Sequence, residues 1–171
     1  MNATIHKPVK GPDAYSPEWY QLRAFDPDRP RPVVIGASEA AAACNQSPYS
    51  SALQLYMEKR GEFPSSFNDA TQNRLDMGKK LEPIILDCYE EQTGSLLTRN
   101  LPLYFHPVYS FMGATPDGIA TDLESPSVTE WCVDAKSTNW RMLDKTGSDT
   151  EKYGEAGTDQ IPLTNLFQAQ Q

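Results

Sequence analysis

Apolar residues recur at steps of three and four between Asp69 and Gly94, at Leu75, Gly78, Leu81, Ile85, Cys88 and Tyr89. That interval predicts one long amphipathic helix with a single apolar stripe. Pro83 lies inside it and is expected to kink the helix or to start a new one. Two shorter helices precede it. Ser38-Glu39 followed by four alanines predicts a helix whose free amide groups the Ser38 hydroxyl can cap. Ala52 to Arg60 predicts another, capped by Ser50 or Ser51 and stopped by Gly61. After Gly94 the period shortens. Leu96 to Phe105, Ser110 to Ala114 and Val128 to Ser137 read as strands, bounded by Asn100, Pro107, Pro116-Asp117-Gly118 and Ser125-Pro126-Ser127. Leu143 to Gly157 is polar and reads as a loop, and Ile161-Pro162 opens a last helix from Leu163 to Gln171. Helices first and strands after indicate an α/β or α+β domain.

The first 33 residues follow another pattern. Pro8, Pro12, Pro17, Pro27, Pro30 and Pro32 are expected to prevent long helices and ladder pairing, so residues 1–33 read as an extended arm and 34–171 as the domain proper. One helical turn is expected around Ser16 to Tyr20, with Ser16 as its cap and Pro17 in first position. Trp19, Tyr20, Leu22 and Phe25 supply apolar anchors, which favours a docked arm over a free tail.

Composition narrows the classes. With 171 residues, the chain can bury a core without disulfide or metal staples. No apolar run is long enough to span a bilayer, and the N-terminus lacks a secretory signal's apolar stretch, so a cytoplasmic protein is expected. Cys44, Cys88 and Cys132 are widely spaced and form no CxxC, and His6 and His106 are the two histidines, which argues against zinc, iron–sulfur and disulfide frameworks. The net charge of −8 argues at first sight against nucleic acid.

Three short segments carry the chemistry. Gly78-Lys79-Lys80-Leu81-Glu82 sets a carboxylate beside the helical stripe, although alone it suits a solvated helix-edge glutamate. Thr115-Pro116-Asp117-Gly118 follows an apolar strand and projects Asp117 from a sheet rim, and alone it suits a hairpin turn. In Trp131-Cys132-Val133-Asp134-Ala135-Lys136, alternation puts Thr129, Trp131, Val133 and Ala135 on the core face and Asp134 with Lys136 on the other, which also suits a strand salt pair. Together they are an acidic oxygen set with a lysine. Hard-oxygen donors without His or Cys suit Mg²⁺ or Mn²⁺. Two such ions can bind a phosphodiester and activate water, and a lysine can face the developing charge.

The order Glu82, Pro116-Asp117, Asp134-Ala135-Lys136 resembles the PD-(D/E)xK nuclease superfamily, and its surroundings resemble the λ exonuclease / YqaJ-type viral recombinase family. Trp19-Tyr20-Gln21-Leu22-Arg23 is similar to that family's Trp-x-x-Leu-Arg, and Ile35 to Glu39 to its Ala-Ser-Glu helix start. Gly78 to Glu82 resembles its Gly-x-x-x-Glu, and Phe167 to Gln170 its Gln-x-Gln after Ile-Pro. The likeness covers residues 19–171.

The resemblance implies a restriction-endonuclease-like α/β core, a mixed central sheet flanked by helices, incomplete at its C-terminus because relatives continue past the glutamine helix. It implies that Asp117, Asp134 and the Ala135 carbonyl hold metal, that Glu82 completes the second site, and that Lys136 is the catalytic lysine. Arg23 and Ser38 would take the 5′-phosphate of a DNA end, with Thr115 and Gln168 also at the DNA. Departures are Asp134 where relatives commonly carry Glu, Ser137 in place of a frequent Cys, and extra residues Asp26 to Arg31 between Arg23 and Ser38.

The implied activity is a Mg²⁺-dependent 5′-to-3′ exonuclease, with two ions, acting on linear duplex DNA. It would make 3′ single strands for an annealing protein in a bacterial or phage-infected cell, as a homo-oligomeric ring. The alternatives are an endonuclease on the same fold and a non-catalytic DNA-binding module. The acidity is then compatible with DNA. Arg23, Lys79, Lys80, Lys136 and Arg141 lie among the motif segments, while acid gathers at Asp122-Leu123-Glu124 and 144–159, so affinity should be weak without metal.

Overall fold

In the computed structural model, residues 7–24, 34–62, 68–122, 129–137 and 161–170 are described. The elements in chain order are β1 (Val9–Asp13), α1 (Pro17–Arg23), β2 (Ile35–Gly36), a 3₁₀ turn (Ala37–Glu39), α2 (Ala40–Ala43), α3 (Ala52–Lys59) and α4 (Asp69–Thr93). They continue with β3 (Leu96–Thr98), β4 (Pro102–Phe105), β5 (Met112–Ala114), β6 (Gly118–Asp122), β7 (Thr129–Val133) and α5 (Leu163–Gln170). Two units are formed, one from Met1–Pro64, Pro102–Thr115 and Asn139–Gln171, the other from Ser65–Leu101 and Pro116–Thr138. The expected Phe25 anchor, the extra residues 26–31, the Ser125–Ser127 boundary, Arg141 and the 143–157 loop lie outside the described residues.

In the first unit α1 starts as its sequence requires. The Ser16 hydroxyl accepts the Trp19 amide at 3.2 Å and Pro17 opens the helix, where its missing N–H costs nothing. Trp19, 8% exposed, forms a core with Val34 and Leu103, and Leu22 and Phe105 pack on it. The arm is therefore docked, although Tyr20 stays exposed.

The sheet order is β1-β4-β5-β2, antiparallel except for the parallel pair β2–β5. The expectation that the prolines prevent ladder pairing is wrong. Val9 pairs with Phe105, Lys10 with Tyr104 and Asp13 with Pro102, with the register shifting between Lys10 and Asp13. Pro12 falls in that irregularity on an edge strand, where a missing donor is tolerated.

Gly113 on β5 lies against the core. A Cβ there would come within 2.7 Å of Val34 Cγ1 and 3.1 Å of Leu103 Cδ1. Both neighbours are almost wholly buried and have little room to yield. Gly113→Ala is expected to destabilise by about 1–3 kcal/mol, read as a lower urea midpoint at unchanged m-value.

Ser51, not Ser50, caps α3, accepting the Gln54 amide at 3.1 Å, and Gly61 follows the helix at φ +68°. Ser38 is not the cap expected of it. It lies within the 3₁₀ turn, and the carboxylate of Glu39 accepts the Gly36 amide at 2.8 Å instead. The α5 helix packs against α2 and the turn.

In the second unit Asn68 caps α4 by accepting the Thr71 amide at 2.9 Å, and Gly94 ends it at φ +68°. No new helix begins at Pro83: α4 runs through it as 25 residues. The core is Leu86, Leu97 and Ala120, with Tyr89, Val133 and Ala135 against it. The periodic stripe missed Leu86; within it Leu75 is exposed about three turns before that core residue, and Cys88 is exposed because, two residues after Leu86, it falls on the other side of the helix. Arg99 pairs with Asp87 at 2.6 Å and with Glu90, joining the chain after β3 to α4.

The second sheet is antiparallel in the order β3-β6-β7. The single strand expected over Leu96 to Phe105 is two, parted around Asn100, whose φ of +54° no strand accommodates. Likewise Ser110 and Phe111 turn ahead of β5, the last strand ends at Val133, and β6 fills the stretch after Pro116-Asp117. Trp131 is not a core residue. It is 37% exposed and donates its indole N–H to the Tyr89 hydroxyl at 2.8 Å. The architecture is thus mixed α/β, with the described strands in two sheets rather than one central sheet. Among the described residues no helix is long and apolar enough to cross a membrane.

Candidate functional site

In the second unit the turn before β6 carries Asp117, and the segment leaving β7 carries Asp134, Ala135 and Lys136. Antiparallel pairing of Gly118 with Val133 brings the two segments side by side. The Ala135 amide donates to Asp117 Oδ2 at 2.7 Å, and Lys136 Nζ lies 2.7 Å from Asp134 Oδ2. On α4, Gly78 leaves space in which a Cβ would sit 3.8 Å from Ser137 Oγ, so this helix lies along the same segment. Glu82, one turn further on, is half-buried.

These charges act on one another. Burial pushes the Asp117 carboxyl up to about 6, and the negative charges of Asp134 and Glu82 push the same way. The Ala135 hydrogen bond and the Lys136 ammonium oppose the rise without cancelling it. A shift of that size at a clustered carboxylate is a common mark of a functional site. The donors are all oxygen, with Ala135 adding a carbonyl. Among the described residues, however, no three His, Cys, Asp or Glu side chains gather closely enough to hold a metal ion. The set fits a hard cation in its chemistry and is not drawn into a cage.

In the first unit Arg23 ends α1 with its guanidinium 4.5 Å above the Trp19 ring. Its Nη2 lies 3.4 Å from both Ser38 Oγ and Glu39 Oε1. The guanidinium also presses on Gly36, where a Cβ would meet Nη2 at 2.8 Å. Lys59 pairs with Glu39 Oε2 at 2.8 Å and donates to the carbonyls of Arg23 and Val34 at 2.8 and 3.0 Å. Burial lowers the pKa of Lys59 against the raising effect of Glu39.

Arg23 and Ser38 are therefore brought together. Thr115 is linked to them through Trp19, whose indole N–H it accepts at 3.1 Å. Gln168 is half-buried on α5, the helix packed against the turn that carries Ser38. Two ion pairs add Glu39 and Lys59, which the sequence motifs do not single out, to this cluster. Glu39 had a signal, since it adjoins Ser38 in the quoted motif, whereas Lys59 reads as an ordinary basic residue in a last helical turn.

No curated protein matches the chain. Two solved structures of an alkaline exonuclease from Laribacter hongkongensis, LHK-Exo, one in complex with dAMP, are 26% identical to it, with TM-scores of 0.38 and 0.39. Each match covers 52% of this chain and 44% of that one, so the chain spans less than half the length of those relatives. Residues 18–171 match the model of the YqaJ-like viral recombinase domain. With nearly all of its length matched, the chain belongs to the YqaJ-like viral recombinase domain family.

Proposed function

We propose that this chain is a PD-(D/E)xK-type nuclease domain that degrades linear duplex DNA in the 5′-to-3′ direction from a 5′-phosphorylated end, using Mg²⁺ or Mn²⁺. The observation that carries the reading is geometric: the pairing of β6 with β7 sets Asp117, hydrogen-bonded by the Ala135 amide, beside the Asp134–Lys136 ion pair. Family membership supports it. The products would be 3′ single strands for an annealing protein. A ring of copies around DNA, in a bacterial or phage-infected cell, completes the proposal.

Asp117, Asp134 and the Ala135 carbonyl would hold one ion, and Glu82 would serve a second. When bound, such ions supply positive charge to the phosphodiester and acidify water. The protein's own groups do the rest. The Ala135 amide fixes the Asp117 carboxylate in direction. The Lys136 ammonium is held at the site by Asp134 and can turn toward a phosphate oxygen that gathers charge during cleavage. Arg23 offers a planar fork of donors and Ser38 a hydroxyl to a terminal phosphate. Thr115 and Gln168 would contact the DNA nearby.

Digestion of linear and circular duplexes in Mg²⁺ and in EDTA tests the reading. Linear DNA should disappear in Mg²⁺ alone, and the circle should persist. Loss of the circle first would make the enzyme an endonuclease. Survival of both substrates in Mg²⁺ would leave a DNA-binding module without catalysis.

A further inference from the structure

Lys59 is 12% exposed at its side chain, yet it is a charged residue on a helix that the proposed chemistry does not use. Its three partners are the Glu39 carboxylate and the backbone carbonyls of Arg23 and Val34. Burying an ammonium is costly unless it is paired and hydrogen-bonded. All three of its donor hydrogens have an acceptor here.

The charges around it are arranged in sequence. Lys59 and the Gly36 amide both hold Glu39 Oε2, each at 2.8 Å. The other oxygen, Oε1, stands a looser 3.4 Å from Arg23. Arg23, Glu39 and Lys59 together keep one net positive charge. We propose that Lys59 is a positioning residue that holds the Glu39 carboxylate back from Arg23, so that the guanidinium retains its charge for an incoming anion. The anion class is the terminal phosphate of a nucleic acid, and to that extent the inference rests on the function proposed above.

Without the ammonium, Glu39 has Arg23 as its nearest cation among the described residues, and the pair closes as a neutral unit. Electrostatics then makes a prediction that simple packing does not. Removing Glu39's charge as well should return the net positive charge to Arg23, and with it anion affinity. A residue that served only to hold the backbone would show no such recovery, because the double change removes still more of the structure.

The test compares fluorescence anisotropy of two linear duplexes, one 5′-phosphorylated and one 5′-hydroxyl, on an Asp117→Asn background that prevents digestion. The parent should prefer the phosphorylated end by about tenfold, the scale of one charge-assisted contact. Lys59→Met should reduce the ratio to near one, and Lys59→Met/Glu39→Gln should recover most of it. If Lys59→Met does not fold, Lys59→Gln keeps an N–H donor without the charge and should give the same loss and the same recovery. A folded Lys59 variant that keeps the parent ratio, or a double variant that stays near one, would overturn the inference. A parent ratio of one would instead remove the phosphate reading of Arg23 itself.

Discussion

Asp117→Asn is expected to abolish DNA cleavage, by about a thousandfold or more, and at the same time to stabilise the metal-free protein at neutral pH. The two effects share one cause. Burial disfavours the Asp117 charge, and the charges of Asp134 and Glu82 repel it, so the folded protein holds that carboxyl's proton up to about pH 6, against an ordinary value of 3.8. The folded state binds the proton more tightly than the unfolded state does. Stability therefore falls as pH rises from about 3.8 through about 6, and the penalty stands in full above that window. Asparagine carries no charge at any pH and keeps a carbonyl oxygen to accept the Ala135 amide. Because the site is half open to solvent, the gain is discounted to about 1 kcal/mol, or about 2–4 °C in melting temperature. Melts in chelator at pH 7.5 and pH 4 check the sign: the variant should melt higher at pH 7.5 and level with the parent at pH 4. Nucleotide release from linear duplex in Mg²⁺ checks the loss. A variant that melts lower at pH 7.5 would show that the carboxylate is not under repulsion.

Helix ends were readable where capping is local, and Ser38 is the exception, because the carboxylate of Glu39 takes the Gly36 amide there. Ser16, Ser51 and Gly94 each act within four residues of themselves, so neighbouring letters carry the whole signal. Strand pairing was not, because a partner decides it. The hydrogen bonds of β1 are made to residues some ninety positions away, and prolines that discourage a central strand are harmless at a sheet's edge. The β6 strand is hidden for a related reason: Pro116-Asp117-Gly118 has the composition of a turn, and the strand that starts at Gly118 is decided by its pairing with β3 and β7.

The same division runs through the candidate site. Acidic residues and a lysine in a fixed order are visible in the chain, and so is the short Asp134 to Lys136 spacing. The bond from Ala135 to Asp117 is made across two strands and is invisible without their register. Glu39 and Lys59 stand twenty positions apart, on different elements, and neither belongs to a pattern that joins them. Trp131 shows the limit of alternation alone: β7 lies at a sheet edge, where the face that should be inward is partly uncovered.

Trp19→Ala is the largest stability change expected in the chain, a loss of about 3–5 kcal/mol. The indole is a buried link between the proline-rich segment and the rest of its unit, beside the β1–β4 ladder. It fills the core with Val34 and Leu103, carries Tyr15 and Tyr20 against its ring at 5.2 and 4.9 Å, and donates to Thr115. Its face also supports the Arg23 guanidinium. Truncation leaves a cavity and removes the stacking surface under the guanidinium. Trp19→Phe separates these contributions, since it keeps most of the apolar volume and loses the N–H donated to Thr115. It should cost about 1–2 kcal/mol. Urea unfolding of the three proteins measures both steps. A cost below about 1 kcal/mol for the alanine variant would mean that the arm is not held by this residue, because a cavity among almost fully buried neighbours cannot be that inexpensive.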